Sequence, residues 1–148
     1  MIDIRKDISK IKAFIKSGIM DFEKSKGTPS AVGVYSCPEY GWVSLNFNKV
    51  KTIEEASSNC PDFEFVEEDL IDIPTWRIEY EMEEEVVRII NSRGREISFL
   101  IEDLGDENFN EPVFEALVEI VIELKYEFES YQNRYLVQIL DSDLMIII

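Results

Sequence analysis

Ala31-Val32-Gly33-Val34-Tyr35-Ser36 and Trp42-Val43-Ser44-Leu45-Asn46-Phe47-Asn48 flank the connection Cys37-Pro38-Glu39-Tyr40-Gly41. Both outer runs are rich in β-branched and aromatic residues. The connection between them carries proline and glycine, so the stretch predicts two strands joined as a hairpin. Side chains alternate between the two faces of a strand. Val43, Leu45 and Phe47 therefore form the face expected to meet a core, leaving Trp42, Ser44, Asn46 and Asn48 on the more polar side. On that side Trp42 either serves recognition or packs under a loop.

Upstream, residues 3–25 read as an amphipathic helix. Ile4, Ile8, Ile11, Ile15 and Phe22 recur at steps of three and four, with Gly18 at the position the pattern leaves open. Glycine there costs helix stability but lets a neighbouring element approach closely. Lys6, Lys10, Lys12, Lys16 and Lys24 cover much of the remaining surface, and Gly27-Thr28-Pro29-Ser30 ends the segment.

Downstream, Thr52 and Glu55 have capping-box spacing at the start of a short helix, which Asn59-Cys60-Pro61 ends. Residues 63–67 predict a third strand with Phe63 and Phe65 on one face. Residues 82–91 predict a helix, since Val87, Ile90, Gly94, Ile97, Ile101 and Leu104 continue the three-four spacing. A hairpin rivals it, because 86–90 and 97–101 are rich in β-branched residues and flank Ser92-Arg93-Gly94. The clearest helix runs over 110–130, with Asn110 as its cap and Pro112 in its first turn. Apolar residues surround most of it. Glu111, Glu115, Glu119, Glu123 and Glu127 form one slanting stripe, expected to be its wet edge. Residues 135–140 and 144–148 read as strand or helix. The pattern predicts a single α+β domain over 1–148, with a small antiparallel sheet packed against N-terminal and C-terminal helices.

The 148 residues suit one domain. No histidine is present, which excludes Ser-His-Asp and Cys-His catalysis, histidine metal sites and a histidine pH switch. The two cysteines, Cys37 and Cys60, are too few for a disulfide scaffold and lack the companions of a zinc site; whether they pair stays open. The glycines form no phosphate-cradling loop. Asp141-Ser142-Asp143 and the 103–106 acids match no calcium loop. Carboxylate pairs are too abundant to single out a hydrolase. The expectation is no catalytic residue, no cofactor and no metal site. The N-terminus lacks the apolar stretch of a secretory signal and no segment suits a membrane span, so the expected compartment is the cytoplasm.

Charge carries more information. The chain has 15 basic and 31 acidic residues, a net charge of −16, which argues against nucleic acid or an anionic membrane as direct partners. The excess lies in the second part of the chain and is densest over 62–85, where Arg77 stands alone among acids and Phe63, Phe65, Trp76 and Tyr80 are interleaved. Aromatics bordered by charge have the composition of a binding hot spot. The same rings also suit core anchors.

The 31–36 and 42–48 strand pair, the Asn59-Cys60-Pro61-Asp62-Phe63-Glu64 run, the Pro74-Thr75-Trp76 turn before an acidic helix and the long final helix together resemble a small bacterial immunity protein of the polymorphic-toxin or contact-dependent growth inhibition type. The resemblance implies an intracellular inhibitor that binds a cognate toxin domain, often a nuclease, and occludes its active site or substrate groove. Such a toxin is expected to be basic, with acidic side chains of the inhibitor standing in for phosphates. The expected contact surface is Glu64, Glu67, Glu68, Asp69, Asp72, Trp76, Glu79, Tyr80, Glu83 and Glu84. The alternative is a non-enzymatic structural or regulatory module of a larger assembly.

Overall fold

The hairpin is the centre of a wider sheet. In the computed structural model, which describes residues 1–78, 86–128 and 134–148, β2 (Ala31–Cys37) and β3 (Trp42–Asn48) pair antiparallel from Ala31↔Asn48 to Cys37↔Trp42. Outside β3 lies β4 (Phe65–Asp72), antiparallel to it. On the other side β2 pairs parallel with β7 (Arg134–Ile139), which pairs antiparallel with β8 (Met145–Ile147). The order is β4-β3-β2-β7-β8. A second, three-stranded sheet joins β1 (Ile2–Asp3), parallel, to β5 (Val86–Ile90), which pairs antiparallel with β6 (Glu96–Leu100). The fold is α+β as the pattern predicts, and both sheets are mixed because β1 and β7 enter as parallel neighbours.

Two helices pack on the larger sheet. Helix α1 (Ile8–Lys26) buries Ile11, Ile15, Gly18, Ile19 and Phe22. Ile4 is also buried, but from a tight turn ahead of the helix, where Asp3 accepts the Arg5 N–H. Gly18 lies directly over the Leu45 side chain, so the expected close approach is real. Phe22 stacks on Phe47 at 4.2 Å. Helix α2 (Glu111–Glu127) buries Pro112, Val113, Ala116, Leu117, Ile120, Val121 and Leu124. These residues share one core with Val32, Val34, Val43, Leu45, Phe47 and Val137 of the sheet.

The glutamate stripe of α2 is partly spoken for within the chain. Lys12 bridges Glu123 and Glu127 at 3.1 and 2.7 Å, Lys16 reaches Glu127 at 3.4 Å, and Arg93 reaches Glu119 at 3.7 Å. The basic face of α1 thereby relieves the repulsion that like charges four apart impose on α2.

Several local expectations are corrected. The three-four spacing over 87–104 belongs to a hairpin, while 82–85 lie outside the described residues. Val87 faces Phe99 and Ile89 faces Ile97 across the pair, so the apolar residues obey period two within each strand. The Asn91 carboxamide fixes the turn by accepting the N–H groups of Arg93 and Arg95 at 3.0 and 2.9 Å. Asn110 stands at the N-cap position, but its side chain makes no capping bond: its φ of −63° and ψ of −45° are helical, because the chain enters α2 through a wider turn at Asp106–Asn110.

Phe63 and Phe65 lie on opposite faces. Phe63 precedes β4 and packs with Ile53, Ala56, Cys60 and Leu136, whereas Phe65 meets Phe22 edge-on at 5.2 Å. That second cluster covers part of the polar face of β3, so Ser44, Asn46 and Asn48 are buried too. The capping box forms, with Glu55 N–H donating to Thr52 Oγ1 at 3.1 Å, yet it starts only the single turn Glu54–Ala56 before Ser57 turns left-handed at φ 58°. Among the described residues no helix is long and apolar enough to cross a membrane.

Candidate partner-binding surface

Strand β4 carries the acids. Its place at the sheet edge follows from two buried asparagines of β3. Asn48 Oδ1 accepts the Glu64 N–H and Asn46 Oδ1 accepts the Glu67 N–H, each at 2.9 Å. The second bond holds Glu67 at φ 48°, where the register between β3 and β4 slips. Between Phe47↔Phe65 and Leu45↔Asp69 the outer strand has three residues to β3's one, and a bulge of this kind twists an edge strand away from flat pairing.

The Ile73 N–H donates to the Gly41 carbonyl at 2.6 Å, which fixes the alternation of the ladder. Leu70 and Asp72, opposite Ser44 and Trp42, then turn their backbone groups outward. Neither edge is bare. The Leu70 N–H donates to Asp69 Oδ1 at 3.0 Å, and the Asp72 carbonyl accepts the Lys10 ammonium at 3.4 Å. With a bulge and two outward groups already bonded, β4 is defended against a further strand. It offers side chains, not backbone.

Those side chains are Glu67, Glu68, Asp69 and Asp72, all exposed, with Val66 and Leu70 exposed among them at 47% and 42%. The structure brings these four predicted contact residues together on one strand. Lys26 pairs with Glu68 at 2.6 Å while its ammonium lies over the rings of Phe22 and Phe65. Arg77 reaches Asp72 at 3.3 Å. Both pairs are solvent-exposed and of small net strength. They leave the strand negative and hold its ends in place.

Three other parts of the predicted surface come out differently. Glu64 Oε2 accepts the N–H groups of Lys49, Val50 and Lys51 at 2.5, 3.0 and 3.4 Å. Its carboxylate is therefore a clamp on the turn after β3 and not a free contact. Trp76 is 0% exposed, set edge-on to Phe109 in the core. Glu79, Tyr80, Glu83 and Glu84 lie outside the described residues.

The Val50 N–H foremost, with those of Lys49 and Lys51, holds the Glu64 carboxyl below its ordinary value of 4.5. A carboxyl lowered by folding stabilises above its unfolded value, and that contribution is lost as pH falls through the folded one. Glu64→Ala is accordingly expected to speed amide hydrogen exchange at Lys49–Lys51 severalfold at pH 7, with the difference shrinking as the pH is lowered through the folded carboxyl's value. Equal protection in both proteins at pH 7 would contradict the clamp.

Cys37 and Cys60 are buried and free, and burial pushes both thiols up. The pairing left open by the sequence is absent. No group of three or more metal-ligating side chains is assembled among the described residues. Sequence reasoning singled out Trp42 but not its partner: on the face beside β4, Tyr35 and Trp42 meet edge-to-face at 5.7 Å. The signal was the odd placement of Trp42 on a polar strand face. No protein-family model, curated protein or solved structure matches the chain.

Proposed function

We propose that this chain is a non-enzymatic, stoichiometric inhibitor, an immunity protein that neutralises a basic toxin domain by covering its active site or substrate groove with the acidic outer strand of the sheet. The observation that carries the reading is the set Glu67, Glu68, Asp69 and Asp72, exposed along β4, with Asp69 on the side of α1 and Asp72 on the side of Trp42. A strand already ordered in the free protein gives up little conformational freedom on binding. Carboxylates arrayed along it attract a cationic groove at long range and then pair with its lysines and arginines. The toxin as partner rests on the sequence resemblance to immunity proteins, and the nuclease as its commonest type rests there too.

The test begins with capture of the partner on the purified protein and its identification by mass spectrometry, then measures association by stopped flow. With a basic toxin domain, the association rate is expected to fall steeply as salt rises. Replacing Glu67, Glu68 and Asp69 together by lysine is expected to slow association by about tenfold or more at low salt, with the circular dichroism spectrum unchanged. An unaltered rate would remove the electrostatic mechanism. Recovery of a housekeeping complex in place of a toxin would favour the alternative of a structural module.

A further inference from the structure

The face of the large sheet turned away from the helices is covered over only part of its width. Residues 53–63 close over Ala31, Gly33 and Leu136, and the missing side chain of Gly33 makes room for the Cys60 thiol and the Phe63 ring. At the margin of that cover, which packs on Tyr35 and bonds the Gln138 carboxamide through Cys60 and Asn59, the register places Leu70, Ser44, Tyr35, Gln138 and Met145 in one row across all five strands. The next row sets Asp72 beside Trp42 and Trp42 beside Cys37.

Ser44 is buried in the middle of this strip, while Leu70 and Met145 at its two ends are 42% and 41% exposed. Tyr35 and Trp42 are half-buried between them, ring against ring. An aromatic centre with exposed apolar flanks is the composition of an interface core.

Charge says what covers it. Asp72 lies directly across from Trp42 on one side. On the other, the Leu140 N–H donates to the Ser36 carbonyl at 2.9 Å, which carries the exposed Asp141 to the Cys37 end of β2. Arg77, half exposed, already reaches Asp72 at 3.3 Å. That pair is exposed and weak, so a partner's guanidinium can share the carboxylate or displace Arg77 from it. A cation set over an indole face is attracted by the ring's quadrupole, and a carboxylate beside the ring adds to that attraction.

We infer that this open half-face is the anchor of the partner interface: Trp42, with Tyr35 behind it and Asp72 beside it, receives an arginine or lysine side chain of a basic protein. The inference rests on the binding reading above and moves its energetic centre from the strand edge to the adjoining face. The acids of β4 then set the approach and the aromatic pair sets the lifetime of the complex.

Hexa-arginine serves as a probe, titrated into the intact protein in physiological salt and followed by amide and indole chemical shifts. The expected result is a saturable shift of the Trp42 indole N–H together with the amides of Leu70 and Asp72. Trp42→Ala should weaken binding by about thirtyfold, the size of an interface hot spot. Trp42→Phe, which keeps a ring and spares the fold, should retain most of the affinity, and Asp72→Asn should lose part of it. Binding with shifts confined to Glu67, Glu68 and Asp69, and with the Trp42 variants as tight as the parent, would overturn the anchor while leaving the acidic strand as the binding surface. No binding even at low salt would overturn both.

Discussion

Replacing Trp76 by alanine is expected to cost about 3–5 kcal/mol of stability, the largest effect of any single substitution considered for this chain. The indole is 0% exposed and packs edge-on against Phe109 at 6.5 Å. It is delivered there by the single turn Pro74–Trp76, which Thr75 ties to the Asp7 carboxylate at 2.9 Å. Truncation removes the ring's burial and leaves a cavity that the turn and the start of α2 cannot both collapse into. A domain of this kind has about 5–15 kcal/mol in hand, so much of it would go. With a urea slope of about 1–3 kcal/mol per molar, the unfolding midpoint should drop by roughly 1–5 M. Trp76→Phe should be far milder. The indole N–H finds no hydrogen-bond partner among the described residues, so losing it removes a buried donor that was a liability. A Trp76→Ala midpoint within a few tenths of the parent's would mean the ring is not in the core.

Gly41→Val is expected to follow closely, at about 2–5 kcal/mol from two separate sources. The residue closes the β2–β3 hairpin at φ 66° and ψ 55°, a left-handed conformation that costs a residue with a side chain about 1–2 kcal/mol. A side chain there would also drive into the Ile73 carbonyl, which is backbone and cannot rotate aside, and would crowd Arg77. Overpacking of that kind costs about 1–3 kcal/mol. The strain would spread, since the Ile73 N–H donates to Gly41 and the next turn seats Trp76. For a chain of this length each kcal/mol lowers the melting temperature by about 2–4 °C, so calorimetry should record a fall of roughly 5–15 °C. Gly41→Asn, which tolerates the left-handed region better, should lose less. Equal melting temperatures for the valine and asparagine variants would remove the conformational part of the argument.

Local chemistry was legible in the sequence and long-range pairing was not. The alternation of Val43, Leu45 and Phe47, the stepped isoleucines of α1 and the proline near the start of α2 each act over a few residues, and each element forms, although α1 starts at Ile8 and leaves Ile4 in the turn before it. The hairpin at 86–100 misleads because Val87, Ile90 and Ile97 satisfy a helical spacing across a turn that Ser92-Arg93-Gly94 signals and the Asn91 side chain closes. The acids of β4 could be read from composition, since charge has to stay in water. Glu64 could not, because a carboxylate that clamps backbone N–H groups has the same letter as one that faces a partner. The two tryptophans divide for the same reason. Trp76 is turned inward by a one-turn helix, and Trp42 stays half-buried because the cover over its face stops short of it.

Strand β2 is flanked by a neighbour that arrives early and one that arrives late. Its register joins Val32 to Phe47 on one side and to Tyr135 on the other. During synthesis at about 5–20 residues per second, the hairpin is complete for on the order of 5–20 s before β7 leaves the ribosome. Through that interval the central strand of the future sheet is a bare apolar edge, the most adhesive surface the chain will ever present. The nascent protein must be shielded, or kept dilute, until β7 has been made.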